Sequence, residues 1–153
     1  MNLTFRGIQP EDHADFFPFV HQLYEGDDKG GKMTQAKIAQ TIDTLEKQPS
    51  AGQVLVVTSG TTLIGYAILI RYWSNEYGGW LIFIDEFFVS APFRNKGVGA
   101  QFMHYVTEAH FDDVVGFALE VMPNNDGALA LYKRLGFEED GRYHLFKKAA
   151  PVP

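Results

Sequence analysis

The segment Arg94-Asn95-Lys96-Gly97-Val98-Gly99 constrains the fold of this chain more than any other. Upstream of it runs Leu81 to Val89 (LIFIDEFFV), an apolar stretch that reads as a strand. Downstream, Val98, Phe102, Val106 and Ala109 recur at helical spacing through His110. A strand that ends in a basic, glycine-bearing turn and resumes as a helix leaves the first helical N–H groups, and the positive end of the helix dipole, pointing into the turn. Gly97 and Gly99 let a ligand approach the backbone with no Cβ in the way, and Arg94 and Lys96 add full charges. The arrangement suits an anion, above all a phosphate. It is not a Walker A loop, because no Gly-Lys-Ser/Thr tripeptide follows. Nor is it the dinucleotide fingerprint, because Phe102 stands where the third glycine belongs.

A chain of 153 residues makes one domain, spanning 1–153, with room for a proper core. With 46% apolar residues, disorder is not the expectation. The absence of cysteine excludes disulfide staples and thiolate catalysis, and fits a reducing compartment. The opening residues MNLTFRGIQPEDH lack the layout of a signal peptide. The most apolar stretch is broken by Asp85 and Glu86 and is too short to span a bilayer. A soluble cytoplasmic protein without a membrane partner is therefore expected. The net charge of −6 argues against nucleic acid as a partner; by itself it is read as serving solubility, with steering of cationic substrates the alternative.

Along the chain, Asn2 to Arg6 is a strand candidate, followed by a helix entry at Gln9-Pro10-Glu11-Asp12. That helix runs through Tyr24, with a kink or a late start expected at Pro18. Residues 26–31 form a loop by composition. Thr34 caps a second helix to about Lys47, with Ile38, Ile42 and Leu45 as its apolar stripe. Gln53 to Thr58 and Thr62 to Trp73 read as a hairpin, and a further turn leads into Trp80 to Val89. Gly116 to Val121 is a strand, Asn125 to Leu135 a helix closed by Gly136, and Phe137 to Lys148 a final strand or hairpin around Gly141. The pattern predicts an α+β sandwich around a mixed sheet.

A second motif, NDGALALYKRLGF from Asn125 to Phe137, places Ala128, Leu131, Tyr132 and Leu135 on one helical face. Together with the basic turn it resembles the GNAT superfamily of N-acetyltransferases. That family carries Gln/Arg-x-x-Gly-x-Gly/Ala after its fourth strand, matched by Arg94, Gly97 and Gly99. It later carries Asn-x-x-Ala-x-x-x-Tyr-x-x-x-Gly-Phe, matched by Asn125, Ala128, Tyr132, Gly136 and Phe137. The order of elements agrees from residue 2 to about 148. The resemblance implies a three-layer fold with a mostly antiparallel sheet whose fourth and fifth strands splay apart. It implies acetyl-coenzyme A as cosubstrate and no metal. The pantetheine arm would pair with the backbone of Phe87, Phe88 and Val89, and the pyrophosphate would sit on the N–H groups of Arg94, Asn95, Lys96, Gly97, Val98 and Gly99. Asn125 would contact the arm, and Tyr132 would protonate the leaving thiolate. Gly127 departs from the pattern by weakening its helix.

Acetyl transfer to an alkylamine with a pKa near ~10.4 requires a neutral amine, and deprotonating it at pH 7 costs about 4.6 kcal/mol. A carboxylate base serves that purpose. Asp85 and Glu86 interrupt an apolar strand, and neighbouring strand residues face opposite sides, so one of the two should face the core side or a cleft. By the resemblance, Glu86 occupies the place of the base, with Asp85 as the other candidate or as a substrate anchor. A backbone N–H near Val89 would meet the oxyanion. The five histidines form no ligand cluster.

Within the superfamily, IDEFFVSAPFRNKGVG, YKRLG and the pair Tyr24-Glu25 look like the diamine (polyamine) acetyltransferase branch. Tyr24, Glu25 and Asp85 would then bind substrate. Asp27, Asp28 and Glu76, with Tyr24, Trp73, Tyr77 and Trp80, can build an acidic, aromatic-walled cleft for a cation. Aminoglycosides, amino acids and protein N-termini remain open as acceptors, as does a non-catalytic acyl-coenzyme A-binding module. A homodimer is expected from the family.

Overall fold

The apolar alternation between residues 52 and 89 resolves, in a computed structural model describing residues 1–26, 29–108, 111 and 113–151, into three long antiparallel strands. These are β2 (Gly52–Ser59), β3 (Thr62–Ser74) and β4 (Gly79–Val89). β1 (Leu3–Gly7) adds antiparallel to β2, and β5 (Val114–Leu119) adds parallel to β4, giving a sheet in chain order. The parallel step requires a crossover, supplied by α3 (Val98–Glu108). Ala109, His110, Asp27 and Asp28 lie outside the described residues.

Helices cover both faces of the sheet. α1 (His13–Leu23) and α2 (Gln35–Lys47) pack Phe16, Val20, Ile38, Ile42 and Leu45 against Val54, Val56, Tyr66, Ile68 and Phe88. On the opposite face α3 packs Phe102, Met103 and Val106 against Leu55, Ala67, Leu69, Ile82 and Ile84. The three expected layers follow from these two stripes. Thr34 caps α2 as expected, its hydroxyl accepting from the Lys37 N–H at 3.2 Å. α1 begins at His13, directly after a short 3₁₀ turn over Pro10–Asp12, and continues through Pro18, so the late start expected at that proline does not occur. α4 (Asp126–Arg134) forms despite Gly127. Gly136, at φ +92°, ends it in a Schellman turn in which the Phe137 and Gly136 N–H groups donate to the Tyr132 and Lys133 carbonyls.

The entry to α1 is fixed by one carboxylate. Asp12, 8% exposed, accepts from both terminal nitrogens of Arg6 at 2.7 and 2.9 Å and from the Gln9 N–H at 2.8 Å. The Arg6 hydrogen bonds, ahead of opposing burial, hold its pKa below the ordinary carboxylate value. Such a group stabilises the fold above its unfolded pKa, and the contribution is lost as pH falls through the lower folded pKa. Asp12→Ala is expected to cost about 2–3 kcal/mol at pH 7, read from urea midpoints. The gap between variant and wild type should narrow below about pH 4.

The final strand or hairpin over Phe137 to Lys148 does not form: these residues carry no strand. The turn at Gly141 (φ +73°) is present, with the Asp140 carboxylate accepting from the Arg142 N–H. Polar side-chain contacts, not ladder bonds, tie the segment to the rest of the chain. Arg142 grips Glu76 at 2.9 and 3.0 Å, Lys133 meets Glu139 at 3.1 Å, and His144 meets Glu120 at 2.9 Å.

Candidate active site

A bulge in β4 builds the site. Ile68 of β3 pairs with Glu86 and Leu69 with Ile84, so Asp85 is an extra residue without a cross-strand partner. Side chains alternate along a regular strand, and Glu86 would share a face with Ile82 and Ile84. Because of the extra residue, Ile82 and Ile84 pack on the α3 side while Glu86 and Phe88 turn toward α1 and α2. Asp85 and Glu86 consequently line one cleft of about 520 Å³, together with Tyr24, Lys37, Gln40 and Ile68. Strict alternation would send the two acids to opposite faces; the bulge is what lets both line the cleft.

Glu86 is 9% exposed, and each of its oxygens accepts from a tyrosine hydroxyl. Tyr66, in β3, donates to Oε1 at 2.7 Å, and Tyr24, at the C-terminal cap of α1, donates to Oε2 at 2.8 Å. Burial raises the Glu86 pKa; the two hydroxyls pull it back, Tyr66 more than Tyr24, and the Asp85 charge raises it further. Asp85 sits exposed at the rim but ringed by protein, and partial desolvation, then the nearby Glu120 charge, raise its pKa as well. Both carboxylates are thus biased toward accepting a proton at higher pH than ordinary acids, as a base for an amine should be.

The ladder between β4 and β5 ends at Ile84 and Leu119, whereas β4 continues to Val89. From Asp85 to Val89 the β5-facing edge of β4 therefore has no strand beside it among the described residues, and an extended amide-bearing ligand can pair there. Beyond this edge a 3₁₀ turn over Ala91–Phe93 leads to the basic turn. Arg94 Nε–H donates to the Val89 carbonyl at 2.7 Å and the guanidinium lies over the Phe88 ring at 5.4 Å, so this residue also ties the turn to the end of β4. Asn95 and Gly97 adopt left-handed backbone angles of +59° and +81° in the turn that opens α3, and left-handed residues in such turns are what build anion-binding concavities of backbone N–H groups. A Cβ on Gly97 would meet nothing within 4 Å, so the space in front of the backbone is open. Gly99 serves packing too: a Cβ there would come within 2.9 Å of Leu131 in α4.

Tyr132, on α4, packs edge-on to Phe137 at 5.8 Å and joins the α3-side cluster. Burial raises its pKa, which keeps the hydroxyl protonated. Tyr132 and Glu86 thus belong to opposite faces of the sheet, and a reacting group touching both must lie between the separated ends of β4 and β5. Asn125 is exposed, and its Oδ1 accepts from the Ala128 N–H at 3.2 Å, so its first task is to cap α4.

Several expected cleft residues are elsewhere. Glu25 is exposed and does not line the cleft. Glu76 is held by Arg142; Trp73 and Trp80 pack on each other at 5.6 Å, with Arg71 over Trp80. Tyr77 stands 61% exposed at the β3–β4 turn. Of the proposed aromatic wall only Tyr24 is present. Tyr66 and Lys37 were not anticipated. A tyrosine inside the aliphatic run LIGYAILI is itself a signal, because a buried hydroxyl needs a partner. Among the described residues no group of His, Asp or Glu is placed to hold a metal, and no helix is long and apolar enough to cross a membrane.

The sequence profile of the family described as "Acetyltransferase (GNAT) family" matches residues 13–137, and the chain belongs to that family. An uncharacterized N-acetyltransferase of Methanocaldococcus jannaschii is 28% identical over 137 residues, covering 89% of this chain and 61% of the relative, so the chain spans under two thirds of that protein's length. A possible acetyltransferase from Clostridium difficile 630 superimposes with a TM-score of 0.78 at 19% identity, covering 99% of this chain and 100% of the other. The aminoglycoside N-acetyltransferase AAC(6')-Iy, in complex with CoA, gives a TM-score of 0.73 at 20% identity, covering 97% and 96%. At these identities the two solved structures establish the fold alone.

Proposed function

We propose that this protein transfers an acetyl group from acetyl-coenzyme A to a primary amine of a small, polyamine-like cationic substrate, both being bound at once. Glu86 takes the amine proton, and Tyr132 returns a proton to the departing thiolate. The observation that carries the reading is the buried, doubly hydrogen-bonded Glu86 facing a cleft beside the unpaired end of β4. Acetyl-coenzyme A supplies the activated acyl group. The open turn at residues 94–99 fits its pyrophosphate, and the free edge over Phe87, Phe88 and Val89 fits its amide-bearing arm. Asp85 at the rim supports an ammonium group of the acceptor. With most of the aromatic wall absent, cation recognition rests on the carboxylates and Tyr24.

Thiol release from acetyl-coenzyme A should be stimulated most by polyamines in a panel that includes aminoglycosides and short peptides. Stimulation by peptides alone would reassign the acceptor. Coenzyme A binding without release for any amine would mark a binding module. Tyr132→Phe keeps the ring packed on Phe137 and is expected to lower kcat by about 100-fold with coenzyme A affinity unchanged in calorimetry. Unchanged kcat would leave the hydroxyl with no part in the reaction.

A further inference from the structure

Tyr66 has no place in the scheme so far, yet it holds the shortest contact to Glu86. It is fully buried in β3, its ring packed edge-on to Phe16 at 4.9 Å and against Phe88 at 5.9 Å. The ring cannot move without disturbing the core under α1, so the hydroxyl has a fixed address. Tyr24 differs: it is half-buried, closes α1 and lines the cleft. Oε1 of Glu86 is therefore anchored from the sheet, while Oε2 is met by a group on the cleft wall.

We propose that Tyr66 is a positioning residue of the transfer reaction, clamping Oε1 of Glu86 so that Oε2 is the oxygen presented to the acceptor amine and the carboxylate stays charged. The inference rests on Glu86 being the base. The groups facing Glu86 are Tyr24 from α1, Tyr66 from β3 and Asp85 beside it in β4, with Lys37 of α2 across the cleft. The Lys37 ammonium is engaged by the Gly30 and Lys32 carbonyls at 3.4 and 2.9 Å. Burial works to protonate Glu86, and the Tyr66 hydrogen bond is the larger of the two opposing it. Removing it shifts the balance in one direction: Glu86 binds its proton at higher pH.

Tyr66→Phe deletes one oxygen and keeps the packed ring, so the fold should survive, as a thermal melt would show. The acidic limb of its kcat/KM profile is expected to move up by about one to two pH units, with the high-pH plateau largely retained. A ¹³C-carboxyl titration of Glu86 in the free protein should show the same upward movement without reference to turnover. In a Glu86→Gln background, Tyr66→Phe should change the rate no further. A uniform loss of rate with the limb unmoved, or an equal loss in the Glu86→Gln background, would overturn the proposal. A moved titration beside an unaltered pH–rate profile would mean that Glu86 is not the base; the positioning role would then fall with that reading, although the clamp itself exists.

Discussion

Glu86→Gln is expected to lower turnover by about 100-fold at pH 7, the scale of a lost general base. The substitution preserves shape. An amide offers one acceptor and one donor group, so one of the Tyr24 and Tyr66 hydroxyls must turn to accept. The loss should shrink as pH rises toward ~10, because an alkylamine then supplies its own neutral form. In the wild type, burial holds the Glu86 pKa above its ordinary value, so activity should fall on acidification before normal carboxylates titrate. A pH–rate profile of kcat/KM for both proteins reads these effects. An unaltered profile in the variant would transfer the base to Asp85, the other acid of the cleft, or to a water chain, without touching the acetyltransferase reading.

The second large effect is expected at Gly97. Its φ of +81° excludes a β-branched residue without strain, and its missing Cβ faces open space at the head of α3. Gly97→Val should therefore weaken coenzyme A binding by about 100-fold, roughly 2.7 kcal/mol, in titration calorimetry. Part of that loss can come from backbone strain. Gly97→Asn separates the two causes, since asparagine tolerates the left-handed region while still placing a side chain in front of the N–H groups. A weakened affinity with the melting temperature preserved would support a pyrophosphate at residues 94–99. Wild-type affinity in both folded variants would remove the phosphate from this turn.

Local signals carried well through to the structure. The stripe Ile38, Ile42, Leu45 and the Thr34 cap placed α2, its start fixed by the cap and its end expected at about Lys47, because spacing and capping are decided within one or two turns. The strand–turn–helix around residues 89–99 was legible for the same reason, while the left-handed backbone of Asn95 and Gly97 emerged only in the structure. The C-terminal segment was misread: alternating apolar residues suggest a strand, but a strand exists only where a neighbour accepts its ladder. Here Tyr143, Leu145 and Phe146 remain exposed and polar side-chain contacts tie the segment down. The acidic, aromatic-walled cleft failed likewise, since Glu76, Trp73 and Trp80 found partners near the β3–β4 turn instead.

By itself, the sequence determined the element order as far as α4, the layers and the family, all of which follow from periodicity and motifs read over short spans. It also named Glu86 and Tyr132 as the groups to watch. Only the tertiary structure decided which way Glu86 points. That direction depends on a single extra residue, Asp85, whose unpaired status is a matter of register between β3 and β4. Tertiary structure likewise chose the partners of Glu86, Tyr66 being 20 residues away in the chain and Tyr24 62 residues away. Contacts at such separations are set by how strands pair and helices pack, and no local pattern encodes them.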